Sequence, residues 1–223
     1  MAEQQRHMPE QTLPERLPVF PLTGVLLLPG GKLPLNIFEQ RYLDMVSDAM
    51  SGDRMIGMVQ PTAPAHDSHA PDIYPVGCAG RITVYEETDD GRYLITLTGL
   101  CRFDIREELS TTTRYRQVLA DWSGYADDLE PPDEAGIDRA CLLPALRAYL
   151  DAADIPADWS AIEKASSVAL VNYLSMICPF TPSEKQALLE AADVAARSKV
   201  MTSLMEMAVM QSGGGDGDDG QRH

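Results

Sequence analysis

The spacing of apolar residues changes once along the chain, near residue 123. Before this point, apolar residues occur in short runs that alternate with polar residues or end at Pro or Gly, which is typical of β-strands. Beyond it, they recur every three to four residues, as in amphipathic helices. The pattern predicts an α+β protein with a small β-domain over residues 14–123, a linker over 124–131 and an α-helical bundle over 132–210.

The N-terminal region is predicted to contain short strands and one early helix. Five apolar runs are predicted strands: LPVFPL, TGVLLLPG, KLPLNIF, RMIGMVQP and TRYRQVLADW. Two further runs meet at Asp90-Gly91, a turn sequence typical of a hairpin, and Gly99 marks a bend or bulge. The alternating apolar residues of this hairpin are Ile82, Val84, Tyr93, Ile95 and Leu97. The early helix carries Phe38, Tyr42, Met45, Val46 and Ala49 on one face.

The C-terminal region predicts three helices. The first has a break or kink near Pro144. The second is capped by Asp158 or Ser160 and ends before Pro179. Its apolar stripe is Ile162, Ala165, Ala169, Leu170, Tyr173, Leu174 and Ile177. The third begins with the capping box of Thr181 and Glu184 and carries a core stripe of Met201, Leu204, Met205 and Ala208.

Composition narrows the functional classes. The 223 residues carry a net charge of −16, which argues against a protein that neutralises nucleic-acid phosphates. The polar ends, residues 1–13 and 211–223, are predicted to be disordered tails. Without an apolar signal segment or a membrane-length apolar run, a cytoplasmic location is expected. The cysteines Cys78, Cys101, Cys141 and Cys178 form no C-x-x-C pair and are predicted to be free thiols, mostly buried.

The chain lacks the common catalytic motifs. It contains no G-x-x-x-x-G-K-[ST] phosphate loop, no G-x-G-x-x-G and no G-x-S-x-G. A metal site at His66 and His69 with Asp67 and Asp72 is only weakly indicated, because these residues lie in a Pro-rich loop without fixed geometry. The carboxylates Glu86, Glu87, Asp89 and Asp90 are interpreted as a solvated hairpin turn. No enzyme activity, cofactor or metal is predicted.

Three ordered blocks resemble the N-terminal, substrate-binding domain of the Lon family of ATP-dependent proteases. The blocks are LPVFPLTGVLLLPGGKLPLNIFEQRY, the hairpin ending in G-x-x-R-F at Gly99–Phe103, and EKQALLEAADVAAR. The resemblance implies a PUA-like β-barrel followed by a helical bundle. No position matches the ATPase or the Ser-Lys protease motifs of that family. The chain is therefore expected to be a stand-alone substrate-binding domain that does not hydrolyse ATP or cleave protein.

The resemblance implies binding of exposed apolar segments in unfolded or partly folded proteins, with a protease or chaperone as a further partner. Candidate peptide-binding residues are Leu26, Leu27, Leu28, Met55, Met58, Met207 and Met210, wherever they are exposed. One alternative is RNA binding through a local patch of Arg102, Arg106, Arg114 and Arg116. Another is a small-ligand pocket in the barrel mouth. The chain is expected to be a monomer or a weak homodimer, with no membrane partner.

Overall fold

The computed structural model describes residues 13–62 and 71–213. Within these residues the chain forms six strands, six α-helices and one 3-10 helix, which confirms the α+β class. The strands are β1 (Arg16–Pro21), β2 (Lys32–Ile37), β3 (Met55–Val59), β4 (Val76–Glu87), β5 (Tyr93–Glu108) and β6 (Arg116–Asp121). The α-helices are α1 (Gln40–Ser51), α2 (Arg139–Ala152), α3 (Trp159–Lys164), α4 (Ser167–Ile177), α5 (Pro182–Glu190) and α6 (Val194–Gly213). The 3-10 helix is Ser123–Leu129.

Five of the strands close into a barrel. Strand β1 pairs in parallel with β3 and antiparallel with β6, while β4 lies between β3 and β5. The ring closes because the C-terminal part of β5, from Asp104 to Glu108, also pairs with β6. The barrel interior is filled by Leu17, Val19, Met55, Val59, Ala79, Phe103, Val118 and Ala120.

Strand β5 has 16 residues and extends beyond the barrel. Its N-terminal part, Tyr93–Thr98, pairs with β2 on one side and with the last residues of β4 on the other. We call these three paired segments the sheet extension; they are β2, residues 93–98 and residues 82–87. One face of the sheet extension packs on the main hydrophobic core through Ile37, Ile82, Ile95 and Leu97.

Helix α1 buries the predicted face against the barrel. Tyr42, Met45, Val46 and Ala49 are all buried. Phe38 was expected to share this face, but it precedes the helix and its side chain is exposed. The helix begins only at Gln40, so the 3.6-residue period does not extend back to Phe38.

The predicted strand TGVLLLPG is irregular instead. Leu26, Leu27 and Leu28 are all completely buried, which an alternating strand on a half-exposed sheet does not permit. The segment ends in a tight turn in which the Gly31 N–H donates to the Leu28 carbonyl at 2.9 Å. The same carbonyl lies against Gly99, where an added Cβ would be only 2.1 Å away. Gly99 also borders the predicted bulge, since Gly99 and Cys101 pair with the consecutive residues Gly80 and Ala79.

The helical region contains more breaks than its apolar pattern predicts. The second predicted helix is split into α3 and α4, because the backbone at Ala165 is extended and Ser166 caps a new helix by accepting the Ala169 N–H at 3.2 Å. The break changes which residues face the core. Ala169, Tyr173 and Ile177 were expected to be buried, but all three are exposed.

The third predicted helix is also split, into α5 and α6. Its capping box is confirmed, since Thr181 accepts the Glu184 N–H and Glu184 accepts the Thr181 N–H. Asp193 then caps α6 by accepting the Ala196 N–H at 2.7 Å. Helix α2, in contrast, continues through Pro144. Residues 1–12 and 214–223, which make up most of the predicted tails, lie outside the described residues, and α6 continues to Gly213.

Candidate protein-binding surface

The outward face of the sheet extension carries apolar side chains on a shallow groove. Cross-strand pairing places Val84, Thr96 and Pro34 in one row across the three strands. The next row contains Glu86, Leu94 and Asn36. Val84 is 55% exposed and Leu94 is 40% exposed, although both are large apolar residues. The two rows therefore form an apolar floor with polar side chains around it.

This groove has a volume of about 350 Å³ and is open to solvent. It is lined by Pro34, Leu35, Asn36, Val84, Glu86, Leu94, Ile95 and Thr96. The groove is three strands wide. Its floor offers apolar and polar side chains at the spacing of a strand, which suits binding of an extended polypeptide. Strand β2 forms its outer border and pairs only with β5 among the described strands.

A β-bulge produces the exposed position of Val84. Ile82 pairs with Leu97 and Val84 pairs with Thr96, so one extra residue, Thr83, lies between two consecutive pairs. The Thr83 hydroxyl bonds to the Thr98 hydroxyl at 2.9 Å and to the Thr96 carbonyl at 3.2 Å. Ile82 consequently faces the core, whereas Val84 faces solvent. Alternation alone predicts that these two residues share a face, and this expectation is wrong.

The hairpin turn beside the groove is acidic. Asp90 forms an ion pair with Arg92 at 2.9 Å, and a hydrogen bond from the Thr88 hydroxyl lowers the pKa of its carboxyl group. Glu86, Glu87 and Asp89 form no ion pair with any described residue, and Glu86 lines the groove itself. The groove thus has excess negative charge at the end nearest the turn.

Most of the sequence-predicted peptide-binding residues are core residues. Leu26, Leu27, Leu28, Met55 and Met58 are each no more than 3% exposed, so their side chains are not available on the surface. Met207 and Met210 are 47% and 73% exposed near the end of α6. Val84 and Leu94 were missed as candidates because the bulge that exposes Val84 leaves no local signal in the sequence.

The four arginines considered for RNA binding are all paired with carboxylates. Arg106 pairs with Asp121, Arg114 with Asp44 and Arg116 with Glu108. Arg102 is buried and pairs with Asp128. The alternating arginines therefore do not form an uncompensated basic surface, which weakens the RNA-binding alternative.

Arg102 joins the barrel to the helical region. Its Nε and Nη2 each donate to Asp128 at 2.8 Å. Its remaining bonds reach the carbonyl of Leu189, in the last turn of α5, and those of Ala191 and Ala192 just after this helix. The guanidinium also lies 4.7 Å from the ring centroid of Tyr125. The 3-10 helix, which overlaps the predicted linker 124–131, is thus fixed between β5 and the bundle.

A second buried arginine lies near this cluster. Arg197 donates to the Leu188 carbonyl at 2.8 Å and to Asn172 Oδ1 at 2.9 Å. Burial, together with the nearby charge of Arg102, lowers its pKa to about 10. The group still carries its charge at neutral pH, and its fixed bonds indicate a structural role in the packing of α4, α5 and α6.

The described residues offer little support for a small-ligand pocket in the barrel. Large side chains such as Phe103 fill the interior. A second cavity of about 160 Å³ lies outside, near Asp48 and Tyr115. There the Tyr115 hydroxyl donates to Asp48 at 2.7 Å, and burial raises the pKa of Tyr115. The Tyr115 hydroxyl is therefore already hydrogen-bonded within the protein and is not free to donate to a ligand.

The thiols and potential metal ligands show no catalytic arrangement among the described residues. Cys78, Cys101 and Cys178 are buried, and burial raises the pKa of Cys101 to about 12 and that of Cys178 to about 11. Cys141 is exposed. No group of three His, Cys, Asp or Glu side chains could hold a metal ion in residues 13–62 and 71–213. The weakly indicated site at His66, Asp67 and His69 lies outside these residues.

A comparison with protein families identifies the chain. The profile described as the ATP-dependent protease La (LON) substrate-binding domain matches residues 16–207, which include both the barrel and the bundle. The chain belongs to the Lon substrate-binding domain family. The expected resemblance is thereby confirmed over residues 16–207.

Full-length Lon proteases are similar to this Lon-family domain over a fraction of their own length. Lon protease 2 of Myxococcus xanthus is 28% identical over 88% of this chain, and the match covers 24% of that protein. Lon protease of Flavobacterium johnsoniae is 28% identical over 84% of this chain, and the match covers 23% of that protein. The chain thus spans about a quarter of the length of these relatives.

Solved structures show the same fold. A Lon N-terminal domain protein from Xanthomonas campestris superposes with a TM-score of 0.61 at 21% identity, covering 84% of this chain and 97% of that one. The N-terminal domain of Lon protease from the Mycobacterium avium complex gives a TM-score of 0.58 at 16% identity, covering 86% and 98%. The expected α+β architecture is confirmed by both.

The Lon family signature at the start of the chain forms one border of the groove. The stretch LPLNIFEQRY runs from β2 into α1 and includes Pro34 and Asn36. Glu39 and Arg41 of the same stretch pair with each other at 2.8 Å on the surface. None of the described helices is long and apolar enough to cross a membrane.

Proposed function

We propose that this Lon-family domain recognises exposed apolar segments of unfolded or partly folded proteins, and that it does so at the groove of the sheet extension. Membership of the Lon substrate-binding domain family supports a non-catalytic substrate-binding module. The observation that favours the groove is the exposure of Val84 and Leu94 on a sheet face where polar residues would ordinarily lie.

The groove is suited to weak binding of many sequences. Full burial of a Val or Leu side chain contributes about 1.5–3 kcal/mol, and about half of each side chain is already covered. Val84 and Leu94 together would therefore add roughly 2 kcal/mol when a segment covers them. Such a gain allows client proteins to be held and released, and it does not require a particular sequence.

The proposal is tested with a chemically denatured client whose aggregation is followed by light scattering in the absence of ATP. The wild-type domain is expected to slow aggregation, and the double variant Val84→Gln with Leu94→Gln is expected to lose most of this effect. Because both side chains lie on the outward face of the sheet and neither belongs to the buried core, the variant should unfold at nearly the same urea concentration as the wild type. An unchanged effect in the double variant would exclude the groove.

A second candidate surface is the end of α6, where Met207 and Met210 are exposed. Flexible thioether side chains can adapt to varied apolar partners. The double variant Met207→Gln with Met210→Gln makes a matched comparison, since it also removes two exposed apolar side chains. Loss of activity in this variant alone would place client binding on α6.

We further propose that the domain acts in the cytoplasm beside a protease or chaperone that processes its clients. Support comes from its relatives, which are Lon proteases about four times as long as this chain. Affinity capture from native cytoplasm, followed by mass spectrometry, should recover a protease or chaperone subunit with the wild-type domain. Recovery of the same subunits with an unrelated acidic domain would contradict a specific partnership.

A further inference from the structure

The groove is unevenly charged along its length. Successive rows of outward side chains run from Lys32 with Thr98, through Pro34 with Val84, to Asn36 with Glu86. Adjacent rows are about 7 Å apart, because alternate residues of a strand share a face. The apolar floor therefore ends at Glu86 on one side and is followed by Lys32 on the other.

The negative end is reinforced by the hairpin turn. Asp89 lies in the turn three residues after Glu86 and forms no ion pair with a described residue, whereas Glu87 lies on the opposite face of the sheet. The one described cation at the turn, Arg92, is already paired with Asp90. A segment lying on the apolar floor thus meets uncompensated carboxylates at this end, within the distance of about 10 Å over which charges act at 0.1 M salt.

We infer that the groove binds extended apolar segments that carry a lysine or arginine at one end, in preference to segments flanked by acidic residues. This inference rests on the proposed function and specifies its substrate class. The apolar residues of the segment cover Val84 and Leu94, while the flanking cation lies against Glu86 and the turn. Charge complementarity thereby selects among apolar segments that the floor alone would bind equally.

The size of the preference follows from the exposure of the groove. An ion pair at an exposed site is weak, and it changes affinity by about threefold and at most about fivefold. A lysine-flanked segment should therefore bind about threefold more tightly than an uncharged one. A glutamate-flanked segment should bind more weakly than the uncharged one, because it faces carboxylates of the same sign.

The test uses three fluorescein-labelled synthetic peptides with the same core, Val-Leu-Phe-Val, flanked at one end by Lys, Gln or Glu. Binding to the wild-type domain is measured by fluorescence anisotropy at 0.05 M and 0.5 M NaCl. The expected order of affinity is Lys, then Gln, then Glu at low salt, and the three affinities should converge at high salt.

Two variants identify the residue responsible. Glu86→Gln should reduce the ratio of the affinities for the Lys-flanked and Glu-flanked peptides, because it removes the carboxylate that lines the groove. Glu163→Gln changes the net charge equally but lies on α3, so it should keep the wild-type preference. A preference that persists in Glu86→Gln, or is lost equally in Glu163→Gln, would overturn the inference.

The outcomes also separate this inference from the proposed function. If all three peptides bind with equal affinity to the wild type and binding is lost in the Val84→Gln, Leu94→Gln variant, the groove binds apolar segments without charge selection. That result overturns the inference alone. If none of the peptides binds the wild type, both the inference and the proposed groove are overturned.

Discussion

Substitution of Asp128 by alanine should strongly destabilise the protein, because it leaves the charge of Arg102 buried without a partner. Two guanidinium nitrogens of Arg102 donate to Asp128 at 2.8 Å, and Asp128 also accepts the backbone N–H of Arg102 at 2.9 Å. The two side chains are only 5% and 10% exposed, so water has little access to replace the lost carboxylate.

The expected cost is about 3 kcal/mol in the free energy of unfolding. Removal of one partner from a buried ion pair typically costs about 3–5 kcal/mol. The lower end applies here because the carbonyls of Leu189, Ala191 and Ala192 still accept hydrogen bonds from Arg102. Arg102→Met should cost at least as much, since it removes the two side-chain donors to Asp128 and leaves these three carbonyls without their donor.

The double variant Arg102→Met with Asp128→Ala should be more stable than the sum of the two single effects predicts. Each single substitution leaves a buried charge, or the acceptors of that charge, without a partner. The double variant removes both charges. We expect a coupling of about 2 kcal/mol, within the range measured for residues in one hydrogen-bonding network.

The measurement is urea unfolding followed by fluorescence and circular dichroism. Trp122 lies beside Phe103 of the barrel, and Trp159 begins α3 of the bundle, so the two tryptophans report on both parts of the chain. Arg114→Gln provides the control, because Arg114 is 69% exposed and its ion pair with Asp44 is 3.7 Å long. This substitution should lower the free energy of unfolding by less than about 1 kcal/mol. A cost below about 1 kcal/mol for Asp128→Ala, or strictly additive effects in the double variant, would refute the reasoning.

Three further predictions concern backbone packing and thiol ionisation. Gly99→Ala should destabilise the domain by several kcal/mol or prevent folding, since its Cβ would lie 2.1 Å from the Leu28 carbonyl; thermal unfolding measures this. In native protein one thiol, Cys141, should react quickly with Ellman's reagent, and all four should react in urea. That reaction should accelerate with rising pH beyond the usual thiol range, because hydrogen bonding to Asp138 raises the pKa of Cys141. The free energy of unfolding should fall as pH rises above about 9, because the Cys101 thiol then loses its proton in the unfolded state but keeps it in the folded state, where its pKa is about 12. Urea titrations at several pH values measure this dependence, and Cys101→Ala should reduce its slope.

Local signals in the sequence predict much of the fold. Alternation and turn residues identify the hairpin at Asp90-Gly91, and the capping box at Thr181 marks the start of α5 correctly. These signals succeed because each depends on residues within a few positions of one another. The change from strand to helix periodicity near residue 123 also coincides with the end of β6.

Local signals fail to predict which side chains are buried where a single residue shifts the apolar spacing from one face of a helix or strand to another. The apolar spacing continues smoothly through Ala165 and Ser166, although the backbone turns there and rotates Tyr173 and Ile177 into solvent. In the same way, the extra residue Thr83 moves Val84 to the outer face. A break or a bulge depends on packing against distant elements, which the local sequence does not contain.

Long-range polar contacts are equally hidden in the sequence. Arg102 and Asp128 are 26 positions apart, and Arg102 contacts carbonyls that lie nearly 90 positions further along the chain. Nothing in an alternating strand distinguishes Arg102 from Arg106, which is exposed. Arg102 is buried because Asp128 and the carbonyls at the C-terminal end of α5 lie against it.

The pairing of β1 with β6 has a consequence during protein synthesis. Arg16 lies opposite Leu119, so β1 leaves the ribosome about 100 residues before its partner β6. At roughly 5–20 residues per second, β1 is without this neighbour for about 5–20 s. The backbone N–H and C=O groups on this edge of β1 are without their β6 partners throughout that interval and can pair with other nascent chains. A domain that we propose to bind unfolded segments thus passes through a period in which its own first strand is such a segment.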